Sequence, residues 1–226
     1  MQLQQVTKAF HRGAHNELWA VRGVSLTLEA GSFTCFRGAS GCGKTTLLSL
    51  VGTLSRPTSG RIVLNERQIS GMSERFLTEI RRHTFGFIFQ RFNLIPGFTV
   101  LENIVLPAYP DAPPRRALMQ RADRLLEQFQ MEDRRESRSE WLSGGEAQRV
   151  AIIRALINDP AVIIADEPTA NLDSALSQEF MGLMEQLYHS GKTILLTSHD
   201  AAIYQAPIID RLITLHDGRV SDDSGK

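Results

Sequence analysis

The nine residues Gly38-Ala39-Ser40-Gly41-Cys42-Gly43-Lys44-Thr45-Thr46 decide the fold. Their glycines, lysine and hydroxyl stand in the order and spacing of a phosphate-cradling loop, the P-loop. A triphosphate is too highly charged for side chains alone, so backbone N–H groups must crowd around it. Glycine permits that approach, because it carries no Cβ and tolerates positive φ. Lys44 is then placed to reach the β- and γ-phosphates, and the Thr45 hydroxyl to ligate Mg²⁺. Upstream, Ser32 to Phe36 reads as a short apolar strand. Downstream, Leu47, Leu48, Val51 and Leu54 follow helical spacing. The loop therefore sits on a helix N-terminus, where the macrodipole favours anions. Strand, loop and helix in series predict binding of a nucleoside triphosphate.

Composition narrows the setting. A chain of 226 residues can bury a substantial core as one large α/β domain or two small ones. Its 25 Lys and Arg balance 25 Asp and Glu, so no global field points to nucleic acid or membrane lipid. The first residues hold no apolar segment of the kind that directs secretion. No apolar run approaches the ~18–20 residues of a membrane span. The two cysteines, Cys35 and Cys42, fall in the strand and loop already described. They read as reduced thiols of a cytosolic protein, and any membrane role must come through a partner.

Outward from the loop, the N-terminal part is strand-rich: Val24 to Leu28 alternates with period two, and Arg61 to Leu64 reads similarly. The central part, about 91–159, is helical. Thr99 and Glu102 form a capping box, and Pro113-Pro114 opens a helix whose Leu118, Ala122, Leu125, Leu126 and Phe129 share a face. A third helix runs from about Gly145 to Ile157 and stops at Asn158-Asp159-Pro160. The C-terminal part alternates strand and helix. Ala161–Ala165 and Thr193–Thr197 are nearly continuous apolar runs, as expected of strands buried on both faces of a parallel sheet. Between them Phe180, Leu183, Met184 and Leu187 mark an amphipathic helix closed near Gly191. Leu212–Leu215 followed by Asp217-Gly218 reads as a strand and tight turn, and the polar tail from Ser221 as frayed.

Parallel α/β sheets bind ligands beyond the carboxyl ends of their strands. Three of these strands end in useful chemistry: the P-loop, Asp166-Glu167, and Ser198-His199. Asp166 is the expected Mg²⁺ partner, through water, and Glu167 is placed to polarise an attacking water. The plainer alternative is that the acidic pair before Pro168 caps the next helix. His199 on the same edge points to a γ-phosphate contact. The run Leu142-Ser143-Gly144-Gly145-Glu146 opens the third central helix and is a second anion-competent helix start, unless Ser143 is an ordinary N-cap. Two such starts could serve two nucleotides, or one nucleotide held between two copies of the chain.

With these motifs in view, the chain resembles an ATP-binding subunit of the ABC transporters from end to end. Ser143-Gly144-Gly145 ahead of Asp166-Glu167-Pro168-Thr169 is highly specific to that family. The resemblance implies a single nucleotide-binding domain over residues 1–226. Its α/β, RecA-like P-loop NTPase core covers about 1–90 and 160–226, with an N-terminal antiparallel β part and a helical lobe inserted at about 91–159. It implies ATP and Mg²⁺ as ligands and a head-to-tail dimer, with ATP held between one copy's Gly38–Thr46 loop and the other's Ser143-Gly144-Gly145. It further implies an integral-membrane permease as partner, a cytoplasmic place on the inner face of the membrane, and no nucleic acid. Carried over by motif, Gln90 meets Mg²⁺ and signals to the permease, Asp173 crosses the dimer, and Phe10 stacks on adenine.

Phe85 to Gln90, Asn93 to Pro96, Leu101-Glu102-Asn103 and Ala165 to Asp173 are similar to a narrower subgroup: the ATPases of Lol-type lipoprotein release, macrolide export and the cell-division system. Such members do mechanical work on extracytoplasmic substrates. Arg37, Phe10, Ala147 and Ala170 stand where the family usually has an aliphatic residue, tyrosine, glutamine and glycine. Two other functions stay open: a soluble ABC ATPase acting on ribosomes or nucleic acid, and a regulatory module that binds ATP without hydrolysing it. Co-purification with a membrane protein or with RNA discriminates the first, and the presence of Glu167 and His199 argues against the second. Finally, Phe92, Leu94, Ile95, Pro96 and Phe98 follow Gln90 without strand or helix periodicity. They predict either a junction between core and lobe or a groove for a helix of the permease.

Overall fold

In the computed structural model, which describes residues 1–225, the chain forms two sheets and a set of helices. The first sheet is antiparallel, with strands β1 (Gln2–Phe10), β2 (Leu18–Thr27), β4 (Ser59–Leu64) and β5 (Arg67–Gln68) in the order β2-β1-β4-β5. The second contains β3 (Phe33–Arg37), β6 (Phe85–Ile88), β7 (Val162–Asp166), β8 (Thr193–Thr197), β9 (Arg211–His216) and β10 (Arg219–Gly225), ordered β10-β9-β3-β8-β7-β6. The pairs β6–β7, β7–β8, β8–β3 and β3–β9 are parallel; β10 alone joins antiparallel.

The apolar runs of β3, β7 and β8 resolve into two faces, because successive side chains on a strand point oppositely. Phe33, Cys35, Ile163, Ala165, Ile194 and Leu196 face one core. Phe36, Ile164 and Leu195 face the other. The first core is covered by α3 (Val100–Val105), α4 (Arg115–Gln128), α5 (Gly144–Leu156), α6 (Ser174–His189) and Ile203 of the short α7 (Ala201–Tyr204). The second is covered by α1 (Lys44–Val51), the antiparallel sheet and Leu77 of α2 (Glu74–Thr84). The sheet is therefore buried on both sides, as a parallel sheet must be.

Local chemistry sets the helix starts. The Thr99–Glu102 capping box is present on α3, and α4 follows Pro114. α5 begins with a second capping box, in which Ser143 Oγ accepts from Glu146 N–H and Glu146 Oε2 accepts from Ser143 N–H. Two readings change. The polar tail pairs: β10 lies along β9, where the Arg211 guanidinium makes a two-point contact with Asp223 at 2.7 and 2.6 Å. That contact explains why a polar segment is held at a sheet edge, and it keeps the Asp223 carboxyl below its usual range. The surface helix α2 has no counterpart in the sequence reading; its apolar face is narrow, with Leu77 buried and Ile80 packed half-buried beside it on an otherwise mostly polar helix.

Candidate nucleotide site

β3, β7 and β8 deliver their C-terminal residues to the same sheet edge because they are parallel neighbours in register, Ala165 opposite Leu196 and Cys35 opposite Leu196. A cleft of about 570 Å³ opens there. It is lined by Phe10, Leu18 and Ala20 of the antiparallel sheet, by Ala39, Ser40, Gly41, Gly43, Lys44, Thr45 and Thr46, and by Gln90, Glu167 and His199.

Gly43 directly precedes α1 at φ +104°, and a Cβ on it would lie 2.2 Å from the Ala20 carbonyl oxygen, so only glycine fits. Gly38 and Cys42 stand behind the loop. A Cβ on Gly38 would lie 2.4 Å from Leu215 O, and Cys42 is buried in the core beneath α1. Burial pushes the Cys35 thiol up to about 12, with the Glu167 charge adding to the effect, which makes it a packing residue.

The charged groups form one cluster. Lys44 Nζ donates to the carbonyls of Gly38 (2.7 Å) and Ala39 (3.1 Å) and pairs with Glu167 Oε1 at 3.3 Å. The pair is well buried, at 6 % and 14 % exposure. The other oxygen of Glu167, Oε2, lies 2.6 Å from His199 Nδ1. A carboxylate only accepts, so Nδ1–H donates here, which leaves Nε2 as the acceptor nitrogen of a neutral ring. Glu167 itself sits at φ +46°, uncommon for a residue with a Cβ, at the turn leaving β7.

Asp166 Oδ1 accepts from Thr45 Oγ1 at 3.0 Å and from Thr197 Oγ1 at 2.8 Å. Thr197 Oγ1 in turn accepts from the Glu167 N–H at 2.7 Å. Thr197 is fully buried and orients both acidic residues, a role the sequence reading missed. The available signal was a hydroxyl ending an apolar strand. Among the described residues no three His, Cys, Asp or Glu side chains cluster as a metal cage. One hydroxyl beside one carboxylate fits Mg²⁺, which keeps waters and takes phosphate oxygens for its remaining positions.

Ser143, Gly144, Gly145 and Asp173 do not line this cleft. Ser143 caps α5, with Glu146 pinned by Arg134 at 2.7 Å. The backbone bond from Ser143, and then Arg134, hold the Glu146 carboxyl below its usual range. The N–H groups of Gly144 and Gly145, free of side-chain caps among the described residues, remain open to an anion. Asp173 caps α6, accepting from Leu176 N–H at 2.9 Å. Asn171 Nδ2 donates to the Gln90 carbonyl at 3.1 Å, a contact across the sheet edge that no local pattern foretells.

The model of the ABC transporter family matches residues 21–170. Over its whole length the chain is similar, at 41 % identity, to the macrolide export ATP-binding/permease protein MacB of Hyphomonas neptunium, of which it spans 34 %; it covers about a third of such relatives. An ABC transporter ATP-binding protein of Thermotoga maritima is 39 % identical over 97 % of the chain and 93 % of its own length. The solved dimeric bacterial ABC transporter cassette MJ0796 superposes with a TM-score of 0.90 at 37 % identity, over 99 % of this chain and 97 % of that one. The same cassette has been captured as a dimer in a post-hydrolysis state bound to ADP and Pi. A P-loop, a carboxylate cluster at the neighbouring strand ends and this agreement lead to one conclusion: the chain belongs to the ABC transporter family, as its ATP-binding ATPase cassette.

Proposed function

We propose that this cassette powers export or mechanical remodelling of an extracytoplasmic substrate (a lipoprotein, peptide or drug-like molecule), working through an integral-membrane permease from the cytoplasmic face. The observation that carries the reading is the adjacency of two clefts. Gln90 lines the nucleotide cleft, while Phe87 and Phe89, on the same strand and its exit, line a second groove of about 400 Å³ with Leu54, Pro107 and Pro110. Nucleotide state at Gln90 and a partner seated in that groove are thus one residue apart. Similarity to ATP-binding/permease relatives supports the same partner. No helix is long and apolar enough to cross a membrane among the described residues.

The chemistry follows from the cluster. A bound triphosphate takes Lys44 from Glu167, since phosphate oxygens offer the ammonium more charge than one carboxylate does. Glu167 is then free to accept the proton of a water attacking the γ-phosphorus. The bond from γ-phosphorus to the β-bridging oxygen breaks, yielding ADP and inorganic phosphate. Thr45 as direct ligand, Asp166 through water and Gln90 would hold Mg²⁺, which supplies charge neutralisation for the leaving ADP. His199, steadied by Glu167, presents Nε2 toward the γ-phosphate. Phe10 stacks on adenine, and the Ser143, Gly144 and Gly145 helix start of a second copy, with its Asp173, closes the site.

The groove test uses Leu54, which is 47 % exposed and outside the nucleotide cleft. Leu54→Glu should leave folding and ATP binding intact while abolishing co-purification with the permease; retained co-purification would move the docking site elsewhere. Leu94 and Phe98 do not line this groove, and Leu94 packs on the helical core instead.

A further inference from the structure

Trp141 is the most exposed large apolar side chain of the described residues, at 77 %. It ends the short 3-10 helix Ser139–Trp141, two residues before Ser143. Its indole has no hydrogen-bond or ring partner within the described chain, so a large apolar ring face with an N–H at its edge is presented to the surroundings. Nothing in the packing of α5 requires it there.

The nucleotide cleft has the complementary deficiency. Its apolar lining consists of Phe10, Leu18 and Ala20, with Phe10 the only ring besides His199. Lys8 Nζ stands 5.2 Å from the centroid of Phe10, so one face of that ring is already taken. A purine stacked on the remaining face of Phe10 keeps its own second face in water, and no aromatic side chain of the same chain lines the cleft to cover it. Exposed Leu18 lies beside it.

We infer that the partner's Trp141 covers the nucleoside, so that each base is held between Phe10 of one copy and the partner's Trp141. This inference rests on the composite site proposed above. The placement follows from chain geometry. Leu142 and Ser143 are extended (ψ 139° and 165°), so Trp141 lies up to about 7 Å along the chain from the Ser143 that meets the phosphates. That length is comparable with the separation of the γ-phosphate from the ribose of a bound nucleotide, so an indole at this distance from Ser143 has the reach to meet the nucleoside. An exposed indole continuous with the Ser143 interface therefore has a defined occupant: the nucleoside moiety bound by a second copy. The residue would thus contribute to nucleotide affinity without touching the hydrolytic groups.

The chain's two tryptophans make the test direct. In Trp19→Phe/Glu167→Gln protein, Trp141 is the only indole, and the composite site predicts that ATP-bound dimers accumulate. Acrylamide quenching of Trp141 is measured with Mg-ATP while light scattering reports the mass. A dimer in which quenching falls several-fold supports the inference. A dimer in which Trp141 stays as quenchable as in the monomer overturns it and leaves the composite site standing. Absence of any dimer overturns the composite site, and this inference with it. In the chain with Glu167 intact, Trp141→Ala should raise the KM for ATP about tenfold with kcat unchanged, and Trp141→Phe should restore most of the loss, as expected for a stacking contact. An unchanged KM in Trp141→Ala would also overturn it.

Discussion

Glu167 touches Lys44 through one oxygen and His199 through the other. On the proposed mechanism a bound triphosphate draws Lys44 away, and the Glu167 oxygen so released accepts the proton of the attacking water. Glu167→Gln keeps the volume and deletes the basic carboxylate. It should lower kcat by about 10²–10⁴-fold with ATP binding retained, read as steady-state phosphate release against nucleotide binding at equilibrium. Lys44→Ala should act on the other quantity and weaken ATP affinity itself, because it removes a charge from the β- and γ-phosphates. Near-normal turnover in Glu167→Gln would take the proton-accepting role from this residue. The loop around Lys44 was legible in the sequence because its requirements are local: positive φ and no Cβ at Gly43, a lysine directly after it, a hydroxyl next. Thr197 was not, since its bonds to Asp166 and to the Glu167 N–H exist only once β7 and β8 are in register.

At the scale of elements, Arg37 shows what an unusual residue can do. Its Nε donates to Thr214 Oγ1 at 2.8 Å on β9, and its guanidinium lies 5.3 Å from the Tyr204 ring of α7. It thereby ties the strand entering the P-loop to the short helix that follows His199. Arg37→Leu and Tyr204→Leu should each lower stability, and their double-mutant cycle should return a coupling of about 0.5–1 kcal/mol by denaturant unfolding; zero coupling would mean the two only stand near each other. β1 illustrates the opposite case, an element whose period is hidden. Leu3 and Val6 are both buried although three apart, because Gln5 adopts φ +50° and the register shifts between them. A bulge moves the apolar set to the wrong parity for a period-two reading. The frayed tail was misjudged for a related reason. β10 is held by backbone pairing and by Arg211 from another strand, neither of which leaves an apolar signature in residues 219–225.

For the whole molecule, the decisive arrangement is that Ser143, Gly144, Gly145 and Asp173 stand outside the cleft that holds the P-loop, Glu167 and His199. If two copies complete each other's sites, ATPase activity per chain should fall on dilution. Ser143→Arg should then abolish ATP-driven dimerisation and turnover while unfolding stays cooperative, since Ser143 is an exposed cap rather than a core residue. A flat activity across a dilution series would contradict the shared site. The sequence by itself determined the phosphate loop, the buried parallel strands, the capping of α3 and the acidic and histidine residues at their strand ends. Each of these is written in contiguous residues through φ, period or capping chemistry. Only the tertiary structure decided which oxygens Asp166 and Glu167 give to Thr45, Thr197, Lys44 and His199, how Asn171 reaches Gln90, and that the apolar groove is built from Leu54 and Phe89 rather than Leu94. Those contacts join residues far apart in the chain. Their geometry is set by strand register and helix packing, which no local stretch specifies.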